Sequence, residues 1–202
     1  MAALHERLRF DTANGQVLDD QRRYLLLRTD VLMGLFDGLS ETMRAEALRA
    51  FGRSVAEHGA DSVRAYAASA GTAALPAMME DAAASLGWGR WRIETAAAPE
   101  RRAINAVAAE PTADDPADAS LNLQVDNSPF AAAATPGTGP ACHAIAGMLE
   151  ALAAALWNEP AHAREIHCAA VHGGRTCRFE ATPALAVDER ASIEQDKASS
   201  SP

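Results

Sequence analysis

The sequence predicts an α+β fold: a single domain with an antiparallel sheet packed against several helices and a closing C-terminal hairpin. Three observations carry that prediction. Leu121, Leu123 and Val125 alternate with polar residues, as a half-buried strand requires. Cys142, Ile145, Leu149, Leu152 and Leu156 fall along one stripe of a helix, with Ala146 and Ala153 beside it. The segments Glu165 to Ala170 and Arg175 to Ala181 flank Gly173-Gly174 as the two arms of a hairpin.

The remaining elements follow in order. Leu8 to Phe10 and Gln16 to Leu18 read as short strands around Asn14-Gly15, a strong hairpin signal. Tyr24 to Leu27 reads as a third strand. Thr29 or Asp30 can cap a helix holding Val31, Leu32, Leu35 and Phe36, and Ser40 can cap the next. That second helix carries Met43, Ala47, Leu48, Phe51 and Val55 at helical spacing, with Gly59 as an interruption before Val63, Tyr66 and Ala67. Ala73 to Leu86 is a further helix with Pro76 near its start, where proline is tolerated. Trp88, Trp91 and Ile93 mark a strand. The Ala-, Pro- and acid-rich stretch from Ala96 to Ser120 reads in part as a mobile loop, and Thr135 to Pro140 is a cluster of helix breakers.

The chain has 202 residues, enough for one sizeable core, and its 49% apolar content is that of an ordinary soluble domain. The net charge of -9, with Lys197 the only lysine and the arginines scattered, argues against a direct nucleic-acid partner, which would need a basic face. Met1 to Phe10 is broken by His5, Glu6, Arg7 and Arg9 and does not resemble a secretory signal. No run of about 18 apolar residues is present, so no membrane span is expected and the expected location is the cytoplasm.

Three cysteines, an odd number, argue against a disulfide framework. Two readings remain: three buried thiols acting as small hydrophobes, or a metal site completed by a fourth ligand. Cys142 stands at a helix mouth, where the dipole favours a thiolate. The hairpin can bring Cys168 and Cys177 together. Glu165 is one fourth ligand, and His143, His167 and His172 compete with it. Glu165 and Cys168 would face opposite sides of a regular strand, so a bulge or bend is required for both to join. Three thiolates and a carboxylate would leave no open position, which makes such a site structural.

Pro140-Ala-Cys142, Glu165-Ile-His-Cys168-Ala-Ala170, Gly173-Gly174 and Cys177-Arg-Phe179 together resemble the 4-vinyl reductase domain, and Asn127 to Ala131 resembles another of its segments. Leu8-Arg-Phe10, Asn14-Gly15 and Arg23 to Leu27 resemble the N-terminal sensory region of bacterial activators of phenol, xylene and toluene catabolism, which contains the same domain. The resemblance implies zinc held by Cys142, Glu165, Cys168 and Cys177, tying the terminal hairpin to the Cys142 helix. It implies residues 1–84 as a hairpin and helical dimerisation part, 85–187 as the ligand-binding region and 188–202 as a disordered tail. It also implies a homodimer, with the helix of Thr29 to Leu39 as a dimer or partner surface.

A cavity for a small hydrophobic or aromatic molecule is implied as well. Trp88, Trp91, Ile93, Leu123, Val125, Phe130, Ile145 and Ala146 are its candidate lining. The position that carries tryptophan in the phenol sensors falls near Val125, and positions often aromatic fall near Ala146 and Ala163. A wider, more apolar pocket with a bulkier ligand follows. No nucleophile elbow, phosphate-binding glycine loop or dinucleotide fingerprint is present. The expectation is a binding protein, a sensor or ligand carrier that acts through a protein partner. Two others stand beside it: an enzyme or accessory of tetrapyrrole or aromatic-compound metabolism, and an adaptor subunit with no ligand.

Overall fold

The architecture rests on two helices that cross backbone to backbone and a four-stranded sheet beneath one of them. The structure is a computed structural model and describes residues 4–95 and 120–184. In chain order the elements are α1 (Leu4–Arg7), β1 (Arg9–Asp11), β2 (Gln16–Asp19), β3 (Arg22–Tyr24), α2 (Thr29–Asp37), α3 (Glu41–Ala70), a 3-10 turn (Thr72–Ala74) and α4 (Leu75–Ser85). They continue with β4 (Arg90–Thr95), β5 (Leu121–Asp126), α5 (Pro129–Ala133), α6 (His143–Trp157), β6 (Ala161–His167), α7 (Ala169–His172) and β7 (Thr176–Pro183). The loop expected within 96–120 falls, apart from Ser120, outside the described residues, as does the tail expected at 188–202.

Both sheets are antiparallel, one ordered β1-β2-β3 and the other β4-β5-β7-β6. The α+β expectation therefore holds. In the larger sheet, registered positions set side chains in rows: Trp91 opposite Val125 opposite Cys177, and Ile93 opposite Leu123 opposite Phe179 opposite Glu165. Leu121, Leu123 and Val125 all point to the buried face, as their alternation predicts. α6 covers the β6–β7 half of this sheet, and α4 packs on β4.

Several boundaries differ from the sequence reading. The third strand is Arg22–Tyr24, and Leu25, Leu26 and Leu27 are exposed connection. Asp20 in left-handed backbone closes a tighter turn after β2 than the leucine run implied. α2 starts at Thr29 with Arg28 as its cap residue, and no side-chain cap forms there or at Ser40. α1 and α5 escaped the sequence reading because each is a single short turn. α5 nonetheless has a cap signal, since Ser128 Oγ accepts from the Ala131 amide at 3.3 Å.

Gly59 does not interrupt α3, which runs unbroken from Glu41 to Ala70. The glycine is there for space: a Cβ on it would stand 2.8 Å from Met148 Cε on α6. Gly52 and Gly147 are more demanding. A Cβ on Gly147 would lie 2.0 Å from the Gly52 carbonyl oxygen, and one on Gly52 would lie 2.7 Å from the His143 carbonyl oxygen. Small residues here let α3 and α6 approach more closely than side chains allow, and this is the most extensive helix pair among the described residues. Leu48 of α3 and Ile145, Leu149 and Leu152 of α6 fill the core around the crossing.

The small N-terminal sheet is tied down by charge. Asp19 is buried and bound at 3.2 Å by both Nε and Nη2 of Arg7, which also donates to the Tyr66 hydroxyl on α3. A bidentate guanidinium–carboxylate pair of this kind is the strong form of an ion pair. Among the described residues no helix is long and apolar enough to cross a membrane.

Gly147→Ala forces backbone against backbone and should destabilise the fold by about 1–3 kcal/mol, read from urea denaturation. Gly59→Ala should cost clearly less, because the flexible Met148 side chain can swing aside.

Candidate metal centre

Four ionisable side chains converge where α6 meets the β6–β7 hairpin. The ligand atoms of Cys142, Glu165, Cys168 and Cys177 all lie within 4.8 Å of one another, and the three cysteines are buried and free of disulfides. Each element delivers its residue for a local reason. Cys142 is the residue immediately before α6, and its carbonyl accepts from the Ile145 and Ala146 amides. Cys177 occupies an inward position of β7. Gly173 and Gly174 take positive φ, which glycine adopts without a Cβ clash, and so return the chain from α7 into β7.

The bulge that the sequence demanded is present. Glu165 pairs with Phe179 and His167 with the next residue, Arg178, so Ile166 is an extra residue in the ladder and stands out at 49% exposure. That insertion lets Glu165, on the sheet face, and Cys168, just past the strand end, reach the same point. The hairpin differs from the expected form in its connection, which contains the single helical turn α7.

The donor set fits a tetrahedral cation. Two sulfurs bound to zinc at about 2.3 Å in tetrahedral geometry stand about 3.8 Å apart. Cys142 Sγ and Cys177 Sγ are 3.8 Å apart, far longer than a disulfide. Glu165 has one carboxylate oxygen, Oε1, buried with no hydrogen-bond partner among the described residues, while Oε2 accepts from the Cys142 amide at 3.2 Å. A buried acceptor of this kind is costly unless something fills it, and a cation would. Support comes from behind the ligands as well: the Ala169 amide donates to Cys177 Sγ at 3.3 Å, and Ser128 Oγ lies 3.2 Å from Cys142 Sγ.

Without a cation the four groups cannot all ionise. Burial, with Cys168 adding to it, raises the Glu165 carboxyl to about 8. Interaction with the Cys142 and Cys177 thiols lowers the Cys168 thiol below its ordinary value. Interaction with Cys168, then with Cys177, then burial hold the Cys142 thiol well above its ordinary value. His143 stays outside the cluster, and burial, helped by Arg49, lowers its imidazole below the usual range. His167 and His172 stack on each other, ring centroids 4.7 Å apart, and do not join either. Glu165 is thus the fourth member of the described cluster.

Of the candidate ligand-contact residues, Val125 pairs with Cys177 across the sheet, and Ile145 and Ala146 lie in the first turn of α6 after Cys142. Trp91, Leu123, Val125, Phe130, Ile145 and Ala146 are buried, and Trp88 and Ile93 half-buried. Trp88 and Phe130 meet edge to face, with centroids 5.5 Å apart, and Phe130 continues through Phe51 to Phe36. The sequence reading placed neither Phe36 nor Phe51 in this aromatic chain, because the partners lie far apart along the sequence. A separate groove of about 790 Å³ opens between α3, α6 and the start of β6, floored by Ala56, Ala60, Ala151 and Ala154.

Residues 121–183 match the 4-vinyl reductase domain, and that span contains all four clustered residues. The whole chain is similar to the phenol-responsive sensory domain of the transcription activator PoxR, solved with phenol. The match covers 93% of this chain and 92% of that one, with a TM-score of 0.66 at 19% identity. It is also similar to a vinyl-4-reductase family protein from Methanocaldococcus jannaschii, over 76% of this chain and 75% of that one, with a TM-score of 0.43 at 14% identity. No curated protein sequence matches the chain. The fold of this chain is therefore that of the PoxR sensory domain, with a 4-vinyl reductase domain in its C-terminal part and a Cys3Glu cluster that could hold a metal ion.

Cys168→Ser should lower bound metal from about one equivalent to a small fraction of that and lower the thermal midpoint, read by metal analysis and calorimetry. In chelator-stripped protein, the Glu165 carboxyl is raised in the folded state, so that state binds more protons than the unfolded chain from the ordinary carboxylate range up to about 8. Its contribution to stability therefore falls as pH rises through that window. Thermal melts should show that decline, and Glu165→Gln should flatten it.

Proposed function

We propose that this chain is a zinc-containing protein that binds a small hydrophobic or aromatic molecule and acts as a sensor or ligand carrier through a protein partner. The observation that carries the reading is the PoxR-like sensory fold over nearly the whole chain, combined with the 4-vinyl reductase domain match around the Cys3Glu cluster. Zinc is favoured because three thiolates and a carboxylate in a closed tetrahedral set suit it and leave no position for substrate. Cys142, Glu165, Cys168 and Cys177 would hold it, and the ion would pin the hairpin to α6. Its chemistry there is structural.

The ligand would lie against the Trp91–Val125 and Ile93–Leu123 rows, with Trp88, Phe130, Ile145 and Ala146 around it. The phenol bound by PoxR is the starting point for its class. Alanine at 146 and 163 and valine at 125 leave this wall without aromatic rings or polar groups at those positions, which favours a ligand larger and less polar than phenol. Homodimerisation is part of the reading. Leu25, Leu26, Leu27, Val31 and Leu35 are 49–83% exposed on and before α2, a run of apolar surface that a second copy would cover.

One observation favours a second reading, an adaptor with no ligand. Leu123, Val125 and Ile145 are at most 1% exposed, and the groove of about 790 Å³ lies on the other side of α6. Native mass spectrometry of protein purified from its own host separates the readings. A bound organic mass with one zinc per chain in a dimer supports the sensor or carrier. A stable complex with another subunit and no organic mass overturns it in favour of the adaptor.

A further inference from the structure

Arg44 is the one buried arginine of the described core, 5% exposed, and it sits near the start of α3, outside the four-residue cluster. Its Nε donates to Asp37 Oδ1 at 3.1 Å, and its Nη1 donates to the Thr138 carbonyl at 2.6 Å. Asp37 is the last residue of α2, and its other oxygen accepts from the Thr135 amide at 3.1 Å and the Thr135 hydroxyl at 2.7 Å. Two side chains thus hold both ends of the Thr135–Thr138 turn. Arg44 Nη2 is buried with no partner among the described residues, a cost that a merely space-filling residue would not carry.

The turn so held leads straight to the metal cluster. Gly137 donates its amide to the Ala170 carbonyl at 3.2 Å, two residues past Cys168. Along the chain, the turn runs through Gly139, Pro140 and the buried Ala141 directly into Cys142. On the other side, Asp37 ends the helix whose outer face exposes Val31 and Leu35 at 56% and 65%.

We propose that Asp37 and Arg44 form a clasp that couples the exposed face of α2 to the Cys3Glu cluster, so that the binding of a partner copy and the order of the metal centre regulate one another. This rests on the partner and metal reading above. The route is contiguous: α2 to Asp37, the clasp to Thr135 and Thr138, and the turn to Cys168 and Cys142. Coupling of this kind is reciprocal, so loosening the cluster must be felt at α2. Arg44 and Asp37 are positioning residues, neither of them a member of the Cys3Glu cluster.

Hydrogen exchange on the full chain tests the clasp. The Gly38 and Leu39 amides, bonded to Gly34 and Phe36 carbonyls, report on the end of α2. Cys142→Ser should speed their exchange roughly tenfold in the otherwise unaltered chain. In an Arg44→Met background the same change should add nothing further at those amides. Thr135→Ala, which removes only the hydroxyl bond to Asp37 and keeps Arg44 buried, should give a partial loss of the transfer and serves if Arg44→Met does not fold. Unchanged α2 amides in Cys142→Ser overturn the clasp, as does an equal increase with and without Thr135→Ala. Zinc content of the unaltered chain is measured in the same samples. Absence of zinc overturns the metal reading alone, because the exchange results judge the clasp whether or not an ion is bound.

Discussion

The crossing of α3 and α6 at Gly52 and Gly147 is the contact on which the other placements depend. With no side chain at either position, the two backbones touch, and the His143 carbonyl is pressed against α3. This fixes the first turn of α6 in space, and Cys142 precedes that turn by one residue. The sheet then has to meet α6 at a set height. Leu149 and Leu152 fill the space beneath the helix, and the β6–β7 hairpin arrives with Cys177 and Glu165 at the level of Cys142. A cluster assembled from a helix start, a bulged strand and an inner strand position needs such a rigid reference, because no two of its elements are local neighbours along the chain except Glu165 and Cys168.

Within that frame the cluster is an electrostatic problem that the protein alone does not solve. Three thiols and a carboxyl in one buried volume cannot all carry charge without a counter-charge: burial raises the Glu165 carboxyl to about 8, while the neighbouring thiols lower Cys168. The hydrogen bonds from the Cys142 and Ala169 amides lower the cost of negative charge, yet they do not cancel it. A divalent cation reverses the balance, since each deprotonation then gains a metal bond. The same crowding that frustrates the bare chain is thus the reason the site would select a cation over protons.

Much of this was legible in the sequence, and the limits have physical reasons. Alternation at Leu121, Leu123 and Val125 and the stripe behind Cys142 are period signals that tertiary context did not override. The need for a bulge between Glu165 and Cys168 followed from strand geometry alone, and Ile166 supplies it. The choice of Glu165 over three histidines did not follow from spacing; it entered with the family resemblance, and the geometry now places the carboxylate in the cluster. Gly59 misled because glycine inside a helix can mark a break or a close neighbour, and only Met148 on another helix decides between them. Leu25 to Leu27 misled because an apolar run after Tyr24 reads as a strand, whereas these residues lie exposed in the connection after β3. Arg44 and Asp37 gave no signal, since a buried ion pair joining residues seven apart to a turn nearly a hundred residues on has no local pattern.

The bulge at Ile166 also bears on how this region can change over time. Removing one residue between Glu165 and Cys168 would restore regular pairing of β6 with β7 and rotate the following segment to the opposite face. Adding one would do the same from the other side. Neither error could be absorbed, because Cys177 on the neighbouring strand is fixed by its own register. The turn around Gly173 and Gly174, between α7 and β7, carries no register constraint except the positive φ at those glycines. Length variation among relatives should therefore gather in that turn and be missing from the short interval before it, although both lie at the same exposed end of the sheet.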